Sequence, residues 1–271
     1  MSTEKTKDEI NQHKKQAIKK INGLLNSYIF SDNHALQKKA DLISYWLESF
    51  SNYISFEEKF EPSRLIRYSR GNVIRVNFGF NIGKEFGGLH FAVVIDNDNK
   101  RNADVLTVVP LSSSDGKEVH ERNVDLGTEL YEKINAVQQN LLSTAMNDLE
   151  ELSKIEASIT AAVGYLKEND PSKPPMPEGA LVQFESTLRE KLDVANKKAN
   201  LEKSIEVIKR NTKEIAKLKT GSMAVTNQIT TVSKQRIYTP KRSEDFLYGI
   251  SLSASAMEKI NEKLRQLYIF S

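Results

Sequence analysis

The chain contains no cysteine. Disulfides, thiolate nucleophiles and cysteine-ligated metal sites are thereby excluded. Histidine is scarce too: the 4 residues stand apart at positions 13, 34, 90 and 120, a scatter that argues against a histidine metal cluster. No apolar run approaches the roughly 20 residues that a bilayer-crossing helix needs, so no membrane contact is expected. The opening MSTEKTKDEINQHKK lacks an apolar h-region. No secretory leader is read there, and the expectation is a cytoplasmic protein. What the chain does have is length and charge. Its 271 residues suffice for one large domain or two ordinary ones, with 28% charged residues and a net charge of +3. That balance is too small to announce nucleic acid by itself.

Three regions follow different patterns. Residues 1–62 read as a helical extension: Ile10, Ala17, Ile21, Leu24 and Leu25 recur at helical spacing in a lysine-rich surface. The turn SDN at 31–33 separates this helix from a second, over roughly 34–58, which carries Tyr45, Trp46, Phe50, Tyr53 and Phe56. Such a stripe reads first as core, and otherwise as a docking face. From Arg70 the period becomes two. In GNVIRVNFG, Ile74, Val76 and Phe78 face one way and Arg75 and Asn77 the other, which predicts a half-buried strand. FAVVIDN and VLTVVPL read as central strands covered on both faces. EVHERNVDL and SMAVTNQITTV add two more, so five short strands suggest a small, strongly bent sheet or barrel.

Residues 129–219 interrupt that sheet. Apolar residues from Leu130 to Leu166 recur in threes and fours, weakest at Ala145; after NDPSKPPMPEG the pattern resumes from Leu181 to Leu218. Two helices of near-equal length joined by a proline-rich turn predict an antiparallel coiled-coil hairpin. About 40 residues at 1.5 Å each gives an arm of roughly 60 Å. The segment holds 14 Lys+Arg against 15 Asp+Glu, so the chain's excess positive charge lies outside it. A terminal helix with Met257, Ile260, Leu264 and Leu267 on one face closes the chain, and Ser255 with Glu258 reads as its capping box.

RGNVIRVNFGFNIGKEFGGLHFAVVIDND, then VLTVVPLSSS, then NQITTVSKQRI together resemble the MazF/PemK family of ribonuclease toxins from toxin–antitoxin systems. That family opens on an Arg-Gly-Asp strand and a Gly-Ser-Glu-x-x-Gly loop, then runs through Arg-Pro into an apolar strand. A strand ending in Thr or Ser follows, and later a Gln-Ile-Arg-Thr stretch with a Lys and an Arg. The likeness covers about 70–127 and 220–270, in the same order. It implies an α+β fold: an SH3-like β-barrel with a C-terminal helix, made of residues 63–128 and 220–271. The coiled-coil hairpin at 129–219 is then an insertion and residues 1–62 an extension.

The resemblance also implies an activity. Family members cut single-stranded RNA, not DNA, without metal or cofactor, using the 2′-hydroxyl as nucleophile and leaving a cyclic phosphate and a 5′-hydroxyl. A homodimer and an antitoxin partner are implied as well. Two residues are central in the family, a loop Arg and a strand-end Thr; here His90 and Ser112 stand in their places. Histidine titrates near neutrality and suits acid–base work, but it gives no permanent phosphate clamp. Other departures are Asn72 for the opening Asp and Thr230 for the Arg of Gln-Ile-Arg-Thr. Arg75, Lys84, Glu85, Ser113, Gln228, Lys234 and Arg236 are the candidate RNA contacts. Each has a plainer reading: His90 as a packed ring, Glu85 as a loop cap, Lys234 and Arg236 as solvated charge, Ser112 to Ser114 as a turn. The alternative function is a catalytically degenerate RNA- or protein-binding scaffold whose arm recruits a partner. A further possibility is that the aromatic second helix lies over the groove as a built-in antitoxin.

Overall fold

The computed structural model describes residues 4–114, 118–167, 177–216, 218–245 and 247–269. It is an α+β protein with an open antiparallel sheet and several helices.

Helices α1 (Lys7–Ile29) and α2 (His34–Phe56) form the N-terminal pair. A reciprocal capping box starts α1: the Thr6 hydroxyl accepts from the Glu9 amide, and the Glu9 carboxylate accepts from the Thr6 amide at 2.8 Å. Asn33 of the predicted SDN turn caps α2 by accepting from the Ala35 amide at 2.9 Å. No residue of α1 is buried, and of α2 only Ala40 and Ile43 are. The aromatic stripe is therefore not core, contrary to the first expectation. Tyr45 is 64% exposed and Phe50 47%, while Trp46 and Tyr53 are half-buried against the sheet.

Among the described residues seven strands make the sheet, two more than the sequence pattern predicts: β1 (Val73–Asn77), β2 (Leu89–Val94), β3 (Val105–Ser113), β4 (Val124–Gly127), β5 (Ser222–Ala224), β6 (Thr230–Ser233) and β7 (Ile237–Thr239). SMAVTNQITTV is not one strand. A 3₁₀ turn at Thr226–Gln228 splits it into β5 and β6. EVHERNVDL becomes strand only from Val124. β7 has three residues, too few to show a period.

The path runs β4-β5-β3-β2-β1-β7, with β6 paired to β3; all pairs are antiparallel. β4 and β7 end the path without meeting, so the sheet is not closed. β3 is its centre. One of its sides pairs with β2, and the other pairs first with β6 and then with β5.

Both faces of the sheet are covered. Ile74, Val76, Ala92, Val94, Leu106 and Val108 bury one face with Tyr68 and Phe78. Val73, Val93, Val109 and Leu111 bury the other under α6 (Ala254–Tyr268), through Ala256, Met257 and Ile260. Ser253, not Ser255, caps α6: its hydroxyl accepts from the Ala256 amide at 3.1 Å and donates to Glu129 at 2.9 Å. Arg70 and Asn72, from the opening motif, tie β1 to the C-terminal segment. Arg70 donates to the Ile95 carbonyl and to Asn261, and Asn72 to Ser251.

The arm leaves the sheet after β4 and returns at β5. Its outward helix, α3 (Glu129–Lys167), is unbroken for 39 residues. The return is not one helix: α4 (Glu178–Lys191) and α5 (Val194–Ile215) meet at Leu192–Asp193, where Asp193 is left-handed at φ 52°. The helices run antiparallel. Gln138 donates to Thr212 at 2.9 Å near the root, Lys197 pairs with Glu151 midway, and Arg189 pairs with Glu156 further out. Ala145, where the apolar pattern is weakest, is buried with Leu201 and Ile208; a small side chain fits where two backbones come close. A second cluster gathers Ile159, Val163 and Val194. Most of the predicted proline-rich turn lies outside the described residues.

Candidate functional site

The β1–β2 connection is a loop closed on itself. The Phe78 amide donates to the Gly88 carbonyl at 2.8 Å, and the Gly88 amide to the Gly79 carbonyl at 2.7 Å. Gly79 sits at φ +83°, and a Cβ there would lie 2.7 Å from the Trp46 ring. A Cβ on Gly87 would lie 2.8 Å from the Gly79 carbonyl oxygen. The loop thus needs glycine at both ends, once for its left-handed turn and once for close backbone approach. Gln228 fastens it from outside: its Oε1 accepts from the Phe86 amide and its Nε2 donates to the Lys84 carbonyl, both at 3.3 Å. Glu85 accepts from the Ile82 amide at 3.2 Å, which is the loop-capping contact of its plainer reading.

His90 stands where this loop becomes β2, opposite Val76 of β1. The β2–β3 ladder runs from Val94↔Val108 to Ala92↔Pro110. Continuing that register by two residues sets His90 across from Ser112. The ladder stops at Pro110, which has no N–H to give. Where pairing ends, a cavity of about 210 Å³ opens, lined by His90, Phe91, Ser112, Ser113, Lys219 and Ser222 among others. The structure therefore brings His90, Ser112 and Ser113 together. It adds Lys219, which the sequence reading assigned to the end of the arm and did not single out.

The imidazole is half-buried with the Phe86 ring edge-on at 4.8 Å. Burial, and then the Arg75 charge, lower its pKa below the ordinary 6.5. At neutral pH it is an uncharged ring able to accept a proton.

The remaining candidates divide. Arg75 lies beside this ring but is engaged: it pairs with Glu214 of α5 and stacks between Phe91 and Tyr238. Lys84 and Glu85 are exposed on the loop. Arg236 donates to the Asn77 carbonyl at 2.8 Å with its guanidinium over Trp46, and burial lowers its pKa. Lys234 is a correction to the expected phosphate contact. It is 1% exposed, and its ammonium donates to the carbonyls of Lys100 and Arg101. A buried cation survives by such bonds, and this one holds β6 to the β2–β3 loop rather than facing a groove.

On the far side of His90 lies a second, larger cavity of about 630 Å³, between the β1–β2 loop and α2. The aromatic stripe was the signal in the sequence that α2 would reach this side of the sheet, and here α2 walls the cavity. Asn77 donates to the Tyr53 hydroxyl at 3.3 Å, and Gln235 to the Tyr53 carbonyl at 2.7 Å.

The site is thus an antiparallel sheet with a glycine-closed loop, and a histidine and a serine sharing a cleft at the strand ends. Residues 69–164 match the family described as PemK-like, MazF-like toxin of type II toxin–antitoxin system. The match takes in β1 to β4 and most of α3, about a third of the chain. It stops short of β5 to β7, whose place beside β1 to β4 comes from the strand pairing. No curated protein matches the chain. No described helix is long and apolar enough to cross a membrane.

Proposed function

We propose that the chain is the toxin of a toxin–antitoxin system and a metal-independent endoribonuclease acting on single-stranded RNA. The sharing of one open cavity by His90 and Ser112, with Lys219 on its wall, is the observation that carries this reading. Neutral His90 removes the proton of a ribose 2′-hydroxyl, and the freed oxygen attacks the adjacent phosphorus. The bond to the 5′-oxygen breaks, and that oxygen departs with the proton His90 has taken. The products are a cyclic phosphate and a 5′-hydroxyl. Ser112 donates to the phosphorane oxygens, and Lys219 on the cavity wall offsets their developing charge. Lys84 and Arg236 lie on the approach, while Gln228 and Glu85 hold the loop. Single strands are the substrate because an A-form duplex hides its base edges.

In this reading residues 63–128 and 220–271 form an SH3-like barrel core, which β3, paired along both sides, supports by drawing the strands around it. Residues 129–219 are a coiled-coil insertion and 1–62 an extension. The exposed apolar residues of the extension suit a second copy or an antitoxin, and such a toxin–antitoxin pair works in the cytoplasm.

The test is RNA cleavage by purified protein in chelator, with the new ends mapped. Wild type should leave cyclic phosphate, and His90→Ala should lose on the order of 10²- to 10⁴-fold in rate. Because the folded pKa of His90 lies below 6.5, the rate should hold through neutrality and fall only as the pH drops through that lower value. Equal inertness of wild type and His90→Ala would remove the nuclease and leave the scaffold.

A further inference from the structure

We propose that α2 and the β1–β2 loop enclose a subsite for one unstacked nucleobase of single-stranded RNA, next to the bond that His90 and Ser112 cleave. The inference rests on the nuclease reading and adds a recognition element from outside the matched residues 69–164.

Lys38, Leu42, Tyr45, Trp46 and Ser49 all line the 630 Å³ cavity. Their spacing of four, three, one and three residues places them on one face of α2. The opposite wall is the loop, with Phe80, Asn81 and Glu85. His90 lines both this cavity and the one holding Ser112, so a single ring borders the two. The volume falls within the range of roughly 300–1,000 Å³ typical of small-ligand sites.

Its chemistry fits a base and its phosphate. Tyr45 is exposed and offers a ring face; Trp46 is held rigid between Gly79 and the Arg236 guanidinium; Phe80 stands across from them. Aromatic faces with a cation at the rim are how single strands are gripped without regard to duplex geometry. Lys38 supplies that rim charge, and Glu85 can accept from an exocyclic amino group. A helix lying over the groove as a plug would fill this space; here α2 walls it and leaves it open.

Trp46 is the only tryptophan of the chain, so its fluorescence reports on this cavity alone. The experiment titrates the full chain with a short 2′-O-methyl oligoribonucleotide, which cannot be cleaved, and in parallel follows cleavage of the unmodified strand. Saturable quenching is expected. Tyr45→Ala should weaken binding roughly 5- to 100-fold, the loss of one base stack. Lys38→Ala should lower the salt dependence by about one phosphate contact. Both side chains are exposed, and unchanged melting would show that the variants fold. Quenching that depends on Tyr45 without any cleavage supports the subsite while ending the nuclease reading. Cleavage with no Trp46 response, or with unchanged affinity in Tyr45→Ala, overturns the subsite and spares the nuclease. Faster cleavage by Tyr45→Ala would make α2 a protein cover over the groove and also overturns it.

Discussion

The sheet and the N-terminal helices handle apolar side chains in opposite ways. In the sheet, Val73, Ile74, Val76 and Val93 are wholly buried, because the central strands that carry them are covered on both faces. In α1 nothing is buried, although Ile10, Ala17, Ile21, Leu24 and Leu25 recur at helical spacing. An amphipathic pattern predicts a helix equally well in both places; it does not say whether the apolar face finds a partner within the chain. The N-terminal pair is tied to the sheet through a few points on α2, chiefly Trp46 and Tyr53, so its order depends on the sheet and not the reverse.

That asymmetry is open to direct attack. Ile74→Ala should have the largest effect, about 2–5 kcal/mol of global stability measured by denaturant unfolding, since it leaves a void in a covered face. A loss below about 1 kcal/mol would mean the sheet is not the stabilising unit. Glu214→Gln should come next. It removes the half-buried partner of Arg75, at a cost of about 1 kcal/mol, and leaves the Arg75 cation without its counter-charge beside His90. The acid limb of the cleavage profile should move to lower pH, because a more exposed positive neighbour further disfavours imidazolium. An upward move would show that Arg75 does not set the ring's titration. Ile10→Ala should be the smallest, within about 0.5 kcal/mol in dilute monomer, as for other surface positions. A larger, concentration-dependent loss would reveal that the exposed face of α1 is covered by a second copy.

The legible parts of the molecule were those with a long or regular period. GNVIRVNFG alternates and is β1; the threes and fours of 129–167 are α3, to within the first residue of the expected insertion. Residues that bend the chain were misread. Thr226–Gln228 looked like more strand because Met223, Val225 and Ile229 around it fall on a period of two, while the backbone turns. At the site, His90 and Ser112 could be paired from motif order alone. Lys219 could not, since only the return of the arm to β5 brings it beside them. Lys234 was misjudged for a related reason: a lysine in a polar stretch reads as surface, and nothing local announces that two carbonyls from residues 100 and 101 wait for its ammonium. Ser255 reads as the cap because Glu258 follows it three residues on, yet Ser253 caps the helix, and the carboxylate that holds it comes from Glu129, far away in sequence.

The arm's two ends enter the sheet side by side, β4 bonded to β5 at Val124↔Ala224 and Gly127↔Ser222, and β5 is in turn bonded to β3 at Ser112↔Met223. Mechanically this is a lever clamped at a narrow hinge. The strand next to this clamped pair is the one that carries Ser112.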